Sequence, residues 1–470
     1  MNIRKQRFPF LRSLGMITFG GVLAGAGLIA APAWGQDAFD LTGADASAEM
    51  EYLGPPPMSG HEDGARSSEE EEDGQVEVEA EAGEWFDGEP WWTWSRASGD
   101  WDGLRPRLEE AGFTLEGTWI FEWSDVSSGG ILGRSSSRSL LDFNLTLDLE
   151  TLLDWQSASL FVDFYHTDGN SISADAGDFQ GLSNIEVGPN VTEVAELWYE
   201  QWMMNDVLRL KVGKVEANSE FAFVDAAGEF INSSAGFSPT IFALPTYPDP
   251  AMSVNLFYYP TEMSYIGFGF YDGAATVDGV ATGRRGPSTF FSGSLSSDYF
   301  LIGEFGLSWD EVKEWGPGRL AVGGWHHTGD HPRFAGGIDS GTEGFYALAE
   351  QQVWSPDAQS EGGLWAFAQY GFADSAVSAA EHHLAGGVFL QGTFDGREDD
   401  STGFYVSHVI LSDEVGSGFT EDETALELFY RFQLTPFFSL KPDLQFITNP
   451  GGVNGVSDAT VFTLRGEITF

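Results

Sequence analysis

From residue 113 to the last residue, apolar and polar side chains alternate in short runs separated by turns rich in Gly, Pro, Asn and Asp, with no helical period of 3.6 between them. The run 140–150 shows it most clearly. Leu141, Phe143, Leu145, Leu147 and Leu149 fall on one face, and Asp142, Asn144, Thr146, Asp148 and Glu150 on the other. Runs of this kind predict sixteen strands, at 113–123, 140–150, 158–166, 193–203, 207–216, 251–259, 263–271, 300–309, 319–328, 344–354, 363–372, 382–391, 403–411, 423–433, 437–448 and 460–470. Long connections such as 217–250 and 272–299 alternate with tight ones at 205–206, 260–262 and 435–436.

Strands of about ten residues, loops long on one side and short on the other, and an even count describe a transmembrane β-barrel whose ends return to the same side. The expected fold class is therefore all-β, a sixteen-stranded antiparallel transmembrane barrel over 95–470, with short periplasmic turns and long extracellular loops. A short helix is expected at 104–110, where Pro106 suits the first turn and Gly112 a left-handed stop.

The beginning of the chain reads differently. Arg4, Lys5, Arg7 and Arg12 precede an apolar stretch, 14–31, and the small residues Ala31, Ala33 and Gly35. That order predicts a secretory signal peptide over 1–35. Beyond it no window holds eighteen consecutive apolar residues, so a membrane crossing has to be made by strands. Residues 36–94 are read as a disordered periplasmic tail. At least to Glu84 they are acidic, with Pro55, Pro56, Pro57 and the run 69–73, and too poor in large apolar residues to repay ordering.

Charge and composition then remove whole classes of function. Twenty-two Lys and Arg against 72 Asp and Glu give a net charge of −50, which excludes a nucleic-acid partner. The absence of cysteine excludes disulfides and thiolate metal sites. His326 and His327, like His382 and His383, are strand neighbours pointing to opposite faces, so neither pair is expected to close on a metal. No G-x-S-x-G element or nucleotide motif is present, and neither an enzyme nor a cofactor is expected. On 207–216, Leu208, Leu210 and Val212 take the lipid side and turn Arg209 and Lys211 to the lumen, since a charge facing lipid near the midplane costs roughly 2–4 kcal/mol.

Several longer segments carry a resemblance. They are Gly99 to Gly112 (GDWDGLRPRLEEAG), Glu196 to Gln201 (ELWYEQ), Leu208 to Lys214 (LRLKVGK) running into Ala217 to Phe221 (ANSEF), Asn232 to Thr240 (NSSAGFSPT), Pro245 to Pro250 (PTYPDP), Leu426 to Phe432 (LELFYRF) and Leu440 to Gln445 (LKPDLQ). From about Ser98 to Phe470 the chain resembles the carbohydrate-selective porins of the OprB type. The resemblance implies a passive channel for small sugars such as glucose, with some ion permeation, set in the outer-membrane lipid of a Gram-negative bacterium. It also implies that the last strand, with Phe462, Leu464, Ile468 and Phe470 on one face, is read by the barrel insertion machinery. The tail at 36–94 is not part of the family pattern, and no surface-layer homology segment precedes the barrel. The other reading is a structural barrel that tethers the envelope through its acidic tail.

In sixteen-stranded porins the connection after the fifth strand commonly folds into the lumen, and here that connection is 217–250. The expected constriction groups Arg209 and Lys211, Glu196 and Glu200 on the preceding strand, and Glu220, Asp225 and Glu229 in the loop, with Asp142 also lining the pore. Phe237 and Tyr247 are read as ring faces for a sugar. The alternative is a loop that only caps the mouth.

Overall fold

The computed structural model describes residues 90–470 apart from 187, 189, 274–275, 278–279, 282–297, 311–315, 357–361 and 395. The expected signal peptide, and the tail as far as residue 89, lie outside the described residues.

The sixteen runs are sixteen barrel strands: β1 (Phe113–Gly130), β2 (Ser135–Asp148), β3 (Ala158–Gly169), β4 (Thr192–Met203), β5 (Leu208–Val215), β6 (Ala251–Thr261), β7 (Ser264–Asp272) and β8 (Tyr299–Trp309). The second half holds β9 (Gly318–Pro332), β10 (Ile338–Trp354), β11 (Gly363–Ala373), β12 (Ala380–Gln391), β13 (Ser401–Leu411), β14 (Glu423–Thr435), β15 (Phe438–Thr448) and β16 (Ser457–Thr469). Each pairs antiparallel with its neighbours in the chain, and β1 closes on β16, so the sheet has no free edge.

Two boundaries differ from the alternation for physical reasons. The Asp148 side chain accepts the backbone N–H groups of Glu150 and Thr151, capping a helix, α2 (Leu149–Leu153), where the pattern ran on as strand. Leu149 and Glu150 therefore leave the barrel wall. Conversely, β1 continues seven residues past Trp123 as Ser-Asp-Val-Ser-Ser-Gly-Gly, which is largely polar on both faces and carries no period for the sequence to show. The side-to-side parity holds throughout, but the length rule does not: the connection 131–134 at the extracellular end is shorter than the periplasmic one at 149–157.

The helix α1 (Leu104–Glu110) forms as expected, entered from Gly103 at φ 73° and left through Gly112 at φ 92°. It is fastened to the periplasmic rim. Arg105 donates to Ser98 Oγ at 2.8 Å and to the Phe470 carbonyl at 3.1 Å, and the Trp91 ring lies 4.7 Å from that of Phe437. Packing on the barrel thus begins near residue 91, a few residues inside the stretch read as tail.

The outer face of the strands is apolar, with Leu197, Leu256, Phe268, Leu320, Val322 and Leu428 all exposed to the surroundings. The packed core is inside. The connection 170–191 between β3 and β4 and the connection 216–250 between β5 and β6 both enter the barrel, and Phe221, Phe230, Ile231, Leu182 and Ile185 are buried there. Phe230 packs its ring 5.6, 5.4 and 5.0 Å from Phe367, Tyr405 and Phe429 on the far wall. The loop after β5 therefore crosses the lumen rather than capping it.

A lumen narrowed by two infolded loops

A buried loop without regular structure must find acceptors for its backbone N–H groups. Here inward-facing carboxylates of the wall supply them. Glu304 on β8 accepts from Ala222, Glu350 on β10 from Ala226, and Glu427 on β14 from both Ile231 and Asn232, at 2.7–2.9 Å. Glu423, at the start of β14, does the same for Phe179 and Gln180 of the first loop, at 2.7 and 3.1 Å. Much of the chain's acidity inside the barrel is thus a set of sockets for loop backbone.

The loop's own acids act as three pins. Glu220 is ion-paired with Arg209 and lies 2.5 Å from Lys211 Nζ. Asp225 sits 3.8 Å from Arg319 on β9, and Glu229 sits 3.3 Å from Arg431 on β14 and 2.9 Å from Lys441 on β15. Burial alone raises a carboxyl pKa, and for Asp225 it prevails over Arg319. For Glu220 and Glu229 the paired cations prevail over burial: Glu220 is lowered, and Glu229 is held down at about 2.

The two loops meet at a polar junction against β11, β12 and β13. His383 lies between Ser238 Oγ at 3.1 Å and Ser407 Oγ at 2.8 Å, Ser407 also donates to Gln180, and Gln369 donates to the Ser234 and Ala235 carbonyls at 2.8 and 3.0 Å. The first loop has a second anchor, where Glu122 on β1 takes Arg138 at 2.6 Å, Arg465 at 2.5 Å and the Ser183 hydroxyl at 2.8 Å. Asn184, Asn218, Phe223, Val224, Ala227, Gly228, Phe230 and Gly236, drawn from both loops, line a recess between them.

Four of the eight expected constriction residues, Arg209, Lys211, Glu200 and Glu220, come together, while Asp225 and Glu229 reach other parts of the wall. Arg209 and Lys211 face the lumen, and each also approaches Glu200, at 3.7 and 3.6 Å. The Arg209 guanidinium lies 4.4 Å from the Phe257 ring centroid, and the Lys211 ammonium lies 3.9 Å from that of Trp198. Glu196 is instead occupied by the Glu216 N–H at 2.8 Å, and Asp142 is linked to Asp163 on the neighbouring strand rather than to the cations. The charges of this group touch one another directly, so they do not oppose each other across an open gap. The aromatic reading needs correction. Phe237 is 3% exposed, and Tyr247 is fully buried with its hydroxyl donating to the Ile185 carbonyl at 3.0 Å. Their rings pack the loop to its surroundings and present no face to a solute.

Sequence reasoning missed the sockets Glu304, Glu350, Glu423 and Glu427, the cations Arg319, Arg431 and Lys441, and the whole first loop. The signal for the wall residues was available, because the argument that turns Arg209 inward applies equally to every charge set in an alternating apolar strand.

A closed sixteen-stranded barrel with a lumen narrowed by infolded loops is a channel of the porin class. The family model described as carbohydrate-selective porin, OprB family, matches residues 136–470, and the chain belongs to that family. Porin B of Pseudomonas aeruginosa is 23% identical over 79% of this chain and 90% of its own length. The putative porin QuiX of Acinetobacter baylyi is 20% identical over 79% of this chain and 92% of its own. The high-pH structure of Pseudomonas putida OprB matches with TM-score 0.72 at 20% identity, covering 80% of this chain and 99% of that one, which is a likeness of fold. The protein is a carbohydrate porin.

Proposed function

We propose that the protein lets small, uncharged sugars of about the size of glucose diffuse passively across the outer membrane of a Gram-negative bacterium, with some ions following the same path. The observation that carries this reading is the second loop, pinned by Glu220, Asp225 and Glu229 to cations on three different parts of the wall. A lumen narrowed by a fixed loop selects by size. A wall of alternating hydrogen-bonded carboxylates and cations offers hydroxyl groups both donors and acceptors while penalising net charge. Arg209 and Glu200, which keep part of their side chains exposed, form the part of this wall on which solute contact is proposed, with Lys211 and the buried Glu220 holding them in place. The lipid around the barrel and recognition of the last strand by the insertion machinery belong to the same reading, as do removal of residues 1–35 and a periplasmic tail. Liposome swelling tests it: glucose enters on addition of the protein alone, and a zwitterion of similar size enters more slowly. Equal rates for the two solutes would contradict the selectivity.

A further inference from the structure

The outer face of the barrel carries a feature that sugar passage does not use. Among the described residues, Arg138, Lys211, Arg319, Lys441 and Arg465 are buried on the lumen side of the barrel strands, Arg209 and Arg431 pair with the loop acids Glu220 and Glu229, and Lys214, on the outward side of β5, is buried with its ammonium on the Val194 carbonyl at 2.9 Å. The outward side chains able to take a positive charge that are not buried are histidines. His326, His382 and His408 lie on β9, β12 and β13 in one patch, linked by register through His326↔Glu343, Phe345↔Phe372↔His382 and Leu384↔His408.

The height of the patch follows from its neighbours. Moving from it towards the periplasm, the same outward faces present Leu384 and Val388 on β12, Phe404 on β13, and Val322 and Leu320 on β9, all exposed and apolar. The histidines therefore stand with Tyr370 at the extracellular edge of this apolar face, where only Ile410 on β13 continues it, and so at headgroup level on the extracellular side. Phe345, Tyr370 and Phe372 cluster beside His382, at 5.9 Å between Phe345 and Tyr370, 5.3 Å between Phe345 and Phe372 and 5.2 Å between Phe372 and His382, as an interfacial aromatic group does. In each case one imidazole nitrogen is engaged. His382 Nδ1 is hydrogen-bonded to Tyr370 at 2.9 Å, His408 Nδ1 to Thr424 at 2.9 Å, and His326 Nδ1 lies 3.6 Å from Glu343. Glu381 stands 3.8 Å from His382 Nε2.

We infer that this outward patch on β9–β14 is a binding surface for net-anionic, phosphate-bearing lipid headgroups, engaged when its histidines are protonated. Histidine is the side chain that ordinarily changes charge between pH 5 and 8, and each charge at a membrane surface contributes about 1 kcal/mol towards an anionic headgroup. The other titratable groups facing the three rings are Glu343 for His326, and Glu381 and Tyr370 for His382. Leu301 faces His326, Ile410 faces His382, and Leu384 and Thr424 face His408, none of which carries charge. With the histidines neutral, the two glutamates leave the patch negative and phosphate is repelled. With all three protonated, its sign reverses.

The test uses the full chain purified in detergent with equal phosphatidylglycerol and phosphatidylcholine, counting the lipids retained per barrel by mass spectrometry at pH 5.5 and pH 8. Phosphatidylglycerol should be enriched by roughly threefold or more at pH 5.5 and not at pH 8. The variant His326→Gln, His382→Gln, His408→Gln, which keeps hydrogen-bonding side chains, should lose the enrichment while its sugar flux is unchanged. Enrichment that is equal at both pH values, or that survives in the variant, overturns the inference. So does a dimer in lipid-free detergent that the variant abolishes, since a second copy would then be what covers the patch.

Discussion

At the level of single residues, the membrane did the deciding. A charge on the lipid face is costly, so Arg209 and Lys211 were legible as lumen groups from the alternation of Leu208, Leu210 and Val212 alone. Their partners were legible only in part. Glu220 is nine to eleven residues away and was found, whereas the far-wall cations that take Asp225 and Glu229 follow from a path across the barrel that no local pattern encodes. Replacing Arg209 and Lys211 by Gln together should raise the cation-to-anion permeability ratio by roughly threefold or more, read as a reversal potential in a salt gradient, because nearby fixed charges act within the screening length of about 8 Å. It also leaves Glu220 buried without its partners, a loss of about 3–5 kcal/mol, so the loop should loosen as well. Glu229 adds a pH dependence. Its carboxyl is held below the unfolded value, so its pairing stabilises the docked loop above the ordinary carboxylate range. That contribution, roughly 3 kcal/mol at most, is lost as pH falls from about 4.5 towards about 2. Asp225, raised by burial, works in the opposite sense. Single-channel conductance should rise between pH 5 and pH 2.5, and the step should shrink in Glu229→Gln.

At the level of elements, the loops are held by the strands' carboxylates more than by their own structure. Glu427→Ala removes the acceptor of two buried N–H groups, those of Ile231 and Asn232, at about 1–3 kcal/mol each. The strand pairing is untouched, so the barrel should still form, but 217–250 should become cleavable by added protease and conductance should increase. Glu427→Gln keeps one acceptor oxygen and should fall between the two. The strands themselves were readable because two solvents, lipid and lumen, impose a period of two. The pattern failed where a side chain overrode it, as at Asp148, whose capping of α2 ends β2 two residues early. It failed again for 170–191, whose Ile172, Leu182, Ile185 and Val191 are buried without any period. Apolar residues in excess of what a solvated loop needs were the available clue, and Phe237 and Tyr247, which as rings on an infolded loop suggest sugar stacking, belong to the same packed set.

At the level of the whole molecule, closure and lumen filling are separate: β1 on β16 seals the wall, and the two infolded loops narrow the lumen. Because α1 and the contact of Trp91 with Phe437 lie on the barrel side of residue 90, deleting 36–84 should leave insertion and the heat-resistant, detergent-soluble barrel unchanged, checked by the electrophoretic shift between heated and unheated samples. In the proposed function sugars share a narrow path with ions. Purified protein in a planar bilayer should give a steady ionic conductance that falls as glucose is added and recovers on washing. A conductance indifferent to glucose at every concentration, or no conductance at all, would contradict it.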